Sequence, residues 1–384
     1  MKYLDINEEE LTSLGGFWTA KEINQQPQSW LNAQTIIEQN TTTIQNFLSP
    51  LIADKDLRII LTGAGTSAFA GGSIAPALSQ KLNRTVEAIA TTDIVSNPSQ
   101  FLLKDKPTLV VSFARSGNSP ESVTAVEIAS QLVDNCFHLV VTCNESGLLF
   151  KHCQNNDKCL AILMPIETND QSFAMTSSFT SMMFTALTVL TKNEDLAKNT
   201  QLIGDSAQHV ISHYNDLLRS MANRKYSRVV FLGSGGLKAL AEESALKLLE
   251  LTDGQTVAVY DSPLGFRHGP KTIVNSDTLV VIYMSNDSYT RKYDLDLLAE
   301  LRNDGEVGQV VAVTTQKDAS IDGDHIFINS GSQLADSLLI FPYIVCAQIY
   351  AFHHALALEN KPDTPSVSGT VNRVVQGVII HPLG

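Results

Sequence analysis

The feature that most constrains the fold of this chain is a pattern of short β-branched runs that occurs twice with matching spacing. Within each half, the second run lies 50 or 51 residues after the first, and the third lies 30 residues after the second. The run centres are Ile60, Val110 and Val140 in the first half and Val230, Val281 and Val311 in the second. Helical patterns separate the runs, and this alternation predicts a parallel sheet covered by helices. We therefore predict an α/β fold in which one unit is used twice.

Eight runs bounded by turn residues are predicted to be strands. They are 57–62, 108–113, 138–143 and 160–165 in the first half, and 228–233, 278–284, 308–314 and 325–329 in the second. A chain of 384 residues is long enough for two domains that each bury a full core. The predicted organisation is a helical N-terminal segment over 1–50, a first α/β domain over 51–195, a connecting helix over 196–226, a second α/β domain over 227–355 and a tail over 356–384.

Charge and composition exclude several classes of protein. The formal net charge of −13 argues against broad binding to nucleic acid or to an anionic membrane surface, because both need a basic patch. Hydrophobic residues make up 43% of the chain, which is too much for extended disorder. The N-terminal sequence has no signal-peptide pattern, and no stretch of apolar residues is long enough to span a bilayer. We expect a cytoplasmic globular protein.

The cysteines predict neither disulfides nor a metal site. Their number is odd, no two have CxxC spacing, and most lie in or beside apolar runs. They are Cys136, Cys143, Cys153, Cys159 and Cys346. We expect buried, reduced thiols, and we expect the protein to work without a metal or another cofactor.

The first predicted strand leads into the glycine-rich stretch LTGAGTSAFAG, residues 61–71. A turn of Gly, Ser and Thr between a strand and a helix offers backbone N–H groups and the positive end of the helix dipole to a phosphate. A dinucleotide loop is disfavoured, because Ala68 stands where the third glycine of that motif belongs and no acidic residue closes a second strand. The Walker pattern is absent. A tight turn without a ligand is the alternative interpretation.

A second stretch, VVSFARSGNSPES (residues 110–122), repeats this chemistry after the next strand. It supplies several hydroxyls, one glycine and one cation, at Ser112, Arg115, Ser116, Gly117, Ser119 and Ser122. Neighbouring parallel strands end at the same edge of a sheet, where ligands bind in such folds. The two turns together predict a phosphate site, because capping of the following helix needs only one hydroxyl.

These two stretches together resemble the paired signature of sugar isomerase (SIS) domains, which bind phosphosugars between two serine-rich turns. The second half similarly resembles the second SIS domain of the glucosamine-6-phosphate synthase isomerase module, and KEINQQP (21–27) resembles the segment before its first domain. The resemblance implies two tandem SIS domains, each a flavodoxin-like three-layer sandwich. It implies substrate contacts at Gly65, Thr66, Ser67, Arg115, Ser116, Gly117 and Ser119, with Thr176 and Ser177 of the stretch SFAMTSSFTS as further contacts.

Candidate catalytic residues lie in the second half. Glu243, Lys247 and Glu250 follow i, i+4, i+7 spacing, and this spacing by itself predicts an exposed, salt-bridged helix face. His268 stands on a loop between Gly265 and Gly269 rather than on an apolar stripe. ALKLLEL and HGP resemble the ALKxxE helix and HGP loop of the synthase. The resemblance implies that Glu250 moves a proton between C1 and C2 of the open-chain sugar, and that His268, from the neighbouring subunit of a homodimer, assists ring opening.

Two departures from the synthase argue against its reaction, the amination of a ketose phosphate with ammonia from glutamine. The chain begins Met-Lys-Tyr, without the nucleophilic cysteine of a glutaminase, and Thr370 stands near the position of the lysine that forms an imine with a ketose. Arg373 cannot form that imine. The stretch SPLGFRHGPK and the tail resemble the branch described as galactosamine-6-phosphate deaminase/isomerase, also called tagatose-6-phosphate ketose/aldose isomerase.

Three hypotheses for the activity follow. The first is deaminating isomerisation of galactosamine 6-phosphate to tagatose 6-phosphate and ammonia, with hydrolysis of a C–N bond. The second is a plain ketose/aldose phosphate isomerase or a sugar-phosphate deglycase. A phosphosugar-sensing regulator is the non-enzymatic alternative, although no helix-turn-helix extension or basic segment accompanies the two domains. All three predict a hexose or hexosamine phosphate as the partner, and neither nucleic acid nor membrane.

Overall fold

The computed structural model describes residues 1–191, 194–329, 331–369, 371–375 and 377–383. The chain divides into two compact units whose segments alternate along the sequence. The first-repeat unit consists of Gln28–Asp170, Ser177–Lys198 and Thr370–Gly384, and the second-repeat unit consists of Met1–Pro27, Gln171–Thr176 and Asn199–Gly369.

Strands and helices alternate along both repeats. The strands are β1 (Lys2–Tyr3), β2 (Ile6–Asn7), β3 (Arg58–Thr62), β4 (Val86–Ala88), β5 (Thr108–Ala114), β6 (Cys136–Thr142), β7 (Cys159–Leu163), β8 (Arg228–Gly233), β9 (Val257–Asp261), β10 (Thr278–Tyr283), β11 (Gln309–Thr314) and β12 (His325–Phe327). The helices are α1 (Glu8–Leu14), α2 (Phe17–Gln39), α3 (Thr41–Ala53), α4 (Thr66–Leu82), α5 (Thr91–Ser96), α6 (Pro98–Phe101), α7 (Pro120–Leu132), α8 (Leu148–His152), α9 (Ser177–Thr191), α10 (Glu194–His213), α11 (Asn215–Ala222), α12 (Gly236–Leu251), α13 (Pro263–Phe266), α14 (Thr290–Asp304) and α15 (Asp336–Ala357). Short 3₁₀ helices cover Ile166–Thr168 and Pro270–Ile273.

Each repeat contains one five-stranded parallel sheet, and the two sheets have the same topology. The strand order is β4-β3-β5-β6-β7 in the first-repeat unit and β9-β8-β10-β11-β12 in the second-repeat unit. The central strands are apolar and buried on both faces, as the predicted parallel sheet requires, and helices cover them. The predicted α/β fold with two tandem copies of one unit is confirmed.

All eight predicted strands form, with ends that differ by at most two residues. The sequence did not reveal β4 and β9, which occupy equivalent edge positions in the two sheets. β4 has only three residues, and every residue of β9 is exposed or half-buried. Edge strands gain less burial than central ones, and they therefore carry a weaker apolar signal.

The strand-to-helix turns of the two repeats have the same backbone conformation. Gly65 and Gly235 cap α4 and α12 with φ of +55° and +58°, where only glycine is unstrained. The glycine two residues earlier must also lack a side chain: a Cβ on Gly63 would lie 2.5 Å from Ser67 Cβ, and one on Gly233 would lie 2.4 Å from the Leu237 carbonyl oxygen. The internal repeat therefore extends to the geometry of the turns.

The structure also contains a disulfide and a long apolar helix. Cys153 and Cys159 form a disulfide between α8 and β7, with their Cα atoms 4.8 Å apart, so the expectation of reduced thiols is wrong for this pair. The turn that follows α8 brings the two residues together, and no spacing rule applied to the sequence predicted this. Within the described ranges, α15 is the one helix long and apolar enough to cross a membrane, and its apolar stretch 338–355 is buried inside the protein as in a core helix.

Candidate functional site

The first candidate phosphate turn lies at the carboxyl end of β3. Thr66 and Ser67 form the first turn of α4, and their exposed fractions are only 4% and 5%. Gly65 directs the backbone into this helix through its positive φ. The hydroxyls of Thr66 and Ser67 thus stand at the positive end of a 17-residue helix. This is a favourable environment for an anion.

The second turn follows β5, which pairs with β3 in parallel register so that Thr62 lies beside Ser112. The two turns therefore leave the sheet at neighbouring points of one edge. Ser116 is held in place because its carbonyl oxygen accepts a 2.8 Å hydrogen bond from Asn144 Nδ2. Gly117 has a φ of +64° and its carbonyl oxygen accepts from the backbone of α8.

Two further predicted contacts complete this edge. Ser119 precedes α7, and its hydroxyl donates to the Ser122 hydroxyl at 2.7 Å. It makes no capping hydrogen bond to the helix backbone. The Arg115 guanidinium is almost fully buried, with 6% of the residue exposed. Arg115 directly precedes the half-buried Ser116 in the chain, and a cation together with hydroxyl groups can supply both charge and hydrogen-bond donors to a phosphate. The structure thus brings the predicted residues of both turns to the same edge of one sheet.

Ser177 and Thr176 have different surroundings although they are adjacent in sequence. Ser177 begins α9 and donates to the carboxylate of Asp170, which also accepts hydrogen bonds from the Ser178 backbone (2.8 Å) and the Ser178 hydroxyl. Asp170 thus caps α9 and orients the Ser177 hydroxyl. Thr176 is the last residue of Gln171–Thr176, which packs with the second-repeat unit.

A buried carboxylate in the segment KEINQQP holds Gln171–Thr176 in place. Glu22 is 2% exposed and accepts hydrogen bonds from the Gln171 backbone (2.5 Å), the Ser172 backbone (3.3 Å) and the Ser172 hydroxyl. Phe173 donates its backbone N–H to the Asp363 carbonyl oxygen at 3.2 Å. KEINQQP is singled out in the sequence only by its resemblance to the synthase. The contacts of Glu22 show that the glutamate of this stretch holds a neighbouring segment.

The C-terminal tail contributes a residue whose role the sequence did not predict. Arg115 Nη2 donates to the Arg373 carbonyl oxygen at 2.7 Å, and the Arg373 guanidinium donates to the Asp170 carbonyl oxygen. The tail therefore packs directly on the second candidate phosphate turn through Arg373. Thr370, the other tail position considered from sequence, lies outside the described residues.

The equivalent edge of the second-repeat unit is occupied by the carboxylates of the protein itself. Asp294 accepts from the Ser234 hydroxyl (2.9 Å) and the Ser285 backbone (2.9 Å). Asp336 accepts from the Ser285 hydroxyl (2.5 Å) and the Asn286 backbone (2.7 Å). Burial raises the pKa of Asp294 to about 6. In the second repeat, the turn hydroxyl of Ser234 and the Ser285 donors are thus satisfied by carboxylates of the protein.

Glu250 lies on α12 beside a buried cation. Lys247 and Glu243 have fully buried side chains, and the Glu250 side chain is 23% exposed, so the prediction of an exposed salt-bridged face is wrong. Lys247 Nζ donates to Glu250 and lies 3.4 Å from Glu243 Oε1. Although burial alone lowers the pKa of Lys247, the two carboxylates raise it above its usual value. Helical spacing is the same for a buried and an exposed face, and α12 packs on α15 and the sheet.

His268 lies on the predicted loop, two residues after the end of α13. Its side chain is exposed in the single chain, and its backbone N–H donates to the Gly265 carbonyl oxygen at 2.9 Å. Gly269 follows with a φ of +121°, which requires glycine. An exposed imidazole on a defined loop can donate a proton to a group that approaches from outside this unit. The described part of the chain contains no cluster of three or more His, Cys, Asp or Glu suited to a metal ion.

Comparison with known proteins identifies the fold family. The family model described as SIS domain matches residues 51–192 and 221–368, which correspond to the two repeats. The chain belongs to the SIS domain family. Its two SIS regions each contain one of the five-stranded sheets, and the first contains both serine-rich turns.

Similar SIS proteins extend over nearly the whole chain. The D-galactosamine-6-phosphate deaminase AgaS of Escherichia coli is 48% identical over 369 residues, which are 96% of this chain and 96% of that protein. The protein of the same name from Shewanella sp. (strain ANA-3) is 46% identical, with 98% of this chain and 95% of that protein covered. The crystal structure of tagatose-6-phosphate ketose/aldose isomerase from Escherichia coli superposes with a TM-score of 0.90 at 44% identity, covering 96% of this chain and 97% of that one.

Proposed function

We propose that this SIS protein is an amino-sugar phosphate deaminase of the aldose–ketose isomerase type, which converts galactosamine 6-phosphate and water to tagatose 6-phosphate and ammonia. The observation that carries the proposal is the half-buried carboxylate of Glu250, which is held by the buried ammonium of Lys247. The activity named for relatives at 46–48% identity supports the same reaction.

The proposed reaction needs one base that reaches two adjacent carbons. Glu250 removes the proton from C2 of the open-chain sugar, and the electron pair of the C–H bond forms the C1–C2 double bond. The π electrons of the C1 carbonyl move to its oxygen, which takes up a proton to give an enol. Return of a proton to C1 gives a ketose with an imine at C2. Water then adds to this imine, the C–N bond breaks and ammonia leaves. His268 donates the proton that opens the sugar ring.

The first-repeat turns supply binding for the phosphate. Thr66, Ser67, Ser116 and Ser119 donate hydrogen bonds to its oxygens, and the Arg115 guanidinium balances its charge. In the second repeat, the hydroxyls of Ser234 and Ser285 donate to Asp294 and Asp336, and we assign no phosphate to that repeat. We expect one phosphate site in each chain.

The decisive assay measures ammonia release from galactosamine 6-phosphate with a coupled dehydrogenase. Wild-type protein should release one ammonia for each tagatose 6-phosphate formed, and Glu250→Gln should reduce kcat by at least about a hundredfold. A parallel reaction with glucosamine 6-phosphate, the C4 epimer, tests whether the enzyme distinguishes the configuration at C4. Substrate deuterated at C2 should lose its label to solvent or carry it to C1. Wild-type release no faster than that of Glu250→Gln would rule out the deaminase.

The name of the Escherichia coli crystal structure favours a second candidate, a plain ketose/aldose isomerase acting on tagatose 6-phosphate. The same proton transfer between C1 and C2 would operate without loss of nitrogen. Incubation with tagatose 6-phosphate alone, followed by separation of the sugar phosphates, distinguishes the two. Formation of an aldose phosphate without ammonia release from the amino sugar would favour this candidate.

We also propose a homodimer in which His268 serves the neighbouring subunit. The exposed imidazole supports this arrangement, as do apolar side chains exposed nearby in sequence at Val257, Tyr260 and Leu264. Mixing Glu250→Gln with His268→Asn tests the shared site, because a mixed dimer regains one intact site and should restore about a quarter of wild-type activity. No recovery after subunit exchange would indicate that each chain acts alone.

We place the protein in the cytoplasm, since charged sugar phosphates do not cross bilayers unaided.

A further inference from the structure

Four charged side chains connect the loop that carries His268 to α14. Arg267, immediately before the histidine, donates through Nε to Glu300 Oε2 at 2.8 Å, and its Nη2 lies 2.8 Å from the same oxygen in an ion pair. Lys271, three residues after the histidine, donates through Nζ to Glu300 Oε1 at 2.5 Å and to Asp304 Oδ2 at 2.5 Å. Glu300 thus receives both of the cations that flank the histidine.

Apolar packing under this network places Glu300 correctly. Phe266, the last residue of α13, is completely buried and belongs to the same core cluster as Leu297 and Leu301 of α14. Glu300 follows Leu297 by three residues and precedes Asp304 by four, so the two carboxylates share the helix face that meets the loop. The loop therefore contacts α14 through an apolar layer and through an ionic layer above it.

The ion pairs of this layer fix the position of the loop more than they add to the folding free energy. All four side chains are between 29% and 39% exposed, and single ion pairs at such sites add little to folding free energy. Hydrogen bonds from Lys271 lower the pKa of Glu300, while those to Asp304 and Glu300 raise the pKa of Lys271, so both remain charged. The backbone hydrogen bonds of this loop are local: His268 N–H donates to the Gly265 carbonyl oxygen at 2.9 Å, and Thr272 N–H donates to the Gly269 carbonyl oxygen at 3.0 Å.

We propose that Glu300 is a positioning residue that orients His268 by fixing Arg267 on one side of it and Lys271 on the other. The proposal rests on the proposed function, in which His268 opens the sugar ring. Glu300 itself contacts no reacting atom. A histidine at the end of a freely moving loop would seldom be aligned with the ring oxygen, and small misplacements of a catalytic group reduce the rate steeply.

The test compares Glu300→Gln with Asp296→Asn, an exposed carboxylate one turn earlier on the same helix. Glu300→Gln should lower kcat for ammonia release about tenfold with KM nearly unchanged, because substrate binding does not depend on the loop. Asp296→Asn should match wild type. Lys271→Met removes the network from its other side and should reproduce the effect of Glu300→Gln.

A double variant distinguishes positioning from a general loss of structure. In a His268→Asn background, Glu300→Gln should cause no further decrease in kcat, since its effect passes through the missing imidazole. A further tenfold decrease in that background would overturn the proposal. Equal losses in Asp296→Asn and Glu300→Gln would also overturn it.

Hydrogen exchange provides a readout that does not depend on activity. Peptides covering residues 265–273 should exchange faster in Glu300→Gln than in wild type or Asp296→Asn, while peptides from the central strands stay unchanged. Unchanged exchange in 265–273 would show that Glu300 does not fix the loop. If wild-type protein releases no ammonia while the exchange difference is present, the proposed function fails and the structural role of Glu300 stands.

Discussion

Lys247 donates a hydrogen bond from its fully buried ammonium to the half-buried carboxylate of Glu250, one helical turn further along α12. On the other side of the ammonium, Glu243 is completely buried as well. A buried cation between two carboxylates keeps their charges compatible with the protein interior, and this arrangement leaves one carboxylate accessible for proton transfer. The pair therefore links the stability of the second repeat to its proposed chemistry.

Lys247→Met should destabilise the protein and reduce its activity together. Methionine fills similar volume but leaves two carboxylates close together without a cation, at a cost of about 3 kcal/mol in the free energy of unfolding. Urea denaturation measures that cost, and kcat for ammonia release measures the effect on Glu250.

The double variant Glu243→Gln, Lys247→Met is the control for this prediction. It removes one buried carboxylate along with the cation, and it should recover part of the lost stability but not the lost activity. If the double variant is less stable than Lys247→Met alone, the electrostatic explanation of the buried triad is wrong.

Substitution of a hydroxyl in the first repeat should weaken phosphate binding, whereas the matched substitution in the second repeat should not. Ser67→Ala removes one proposed donor to a charged oxygen and should raise the Kd for an open-chain hexitol 6-phosphate about tenfold, as measured by calorimetry. Ser234→Ala removes a hydroxyl from the turn of the second repeat, where that hydroxyl donates a hydrogen bond to Asp294. Equal weakening by both variants would contradict the assignment of the phosphate to the first repeat.

Asp294 should give the folding free energy a distinct pH dependence. Burial raises the pKa of Asp294 from 3.8 to about 6 in the folded protein. Between about pH 4 and pH 6 the folded state therefore holds the proton while the unfolded chain releases it, and this contribution to stability is lost as the pH rises. Above about pH 6 the contribution is constant.

The comparison with Asp294→Asn isolates this effect from that of other groups. Burial lowers the pKa values of His138 and His354 to about 4 and that of His353 to about 3, and these histidines make stability rise with pH over the same range. The stability of wild type minus that of Asp294→Asn, measured by urea unfolding at several pH values, should therefore fall from about pH 4 to pH 6. A flat difference would show that Asp294 is ionised throughout that range.

Glu22→Ala should destabilise the second-repeat unit and release Gln171–Thr176. Several donors of this segment lose a buried charged acceptor, which costs roughly 2–4 kcal/mol of folding free energy. Hydrogen exchange should increase in peptides that contain Ser172 and Thr176. Glu38→Ala, on the exposed end of the same helix, is the matched control and should leave both measurements unchanged. Equal protection of the segment in both variants would argue against the role assigned to Glu22.

Local spacing and turn chemistry were sufficient to predict much of this protein. The spacing of Ile60, Val110 and Val140, and its recurrence in the second half, predicted the parallel sheets, because central strands of such sheets are continuously apolar. Gly65 and Ser116 were predicted as parts of adjacent turns, since parallel neighbouring strands must end at the same edge. The catalytic assignments of Glu250 and His268 came from resemblance and stay predictions.

The sequence by itself therefore determined the fold class, the duplication and the two donor-rich turns, all of which depend on short-range periodicity and on residues a few positions apart. Only the tertiary structure decided that Lys247 is buried, that Asp294 accepts a hydrogen bond from the Ser234 hydroxyl and that Glu22 binds Ser172, 150 residues away in the sequence. A charged residue has the same helical spacing on a buried face as on an exposed one. Its environment and its partner are set by packing between distant segments, which no local pattern records.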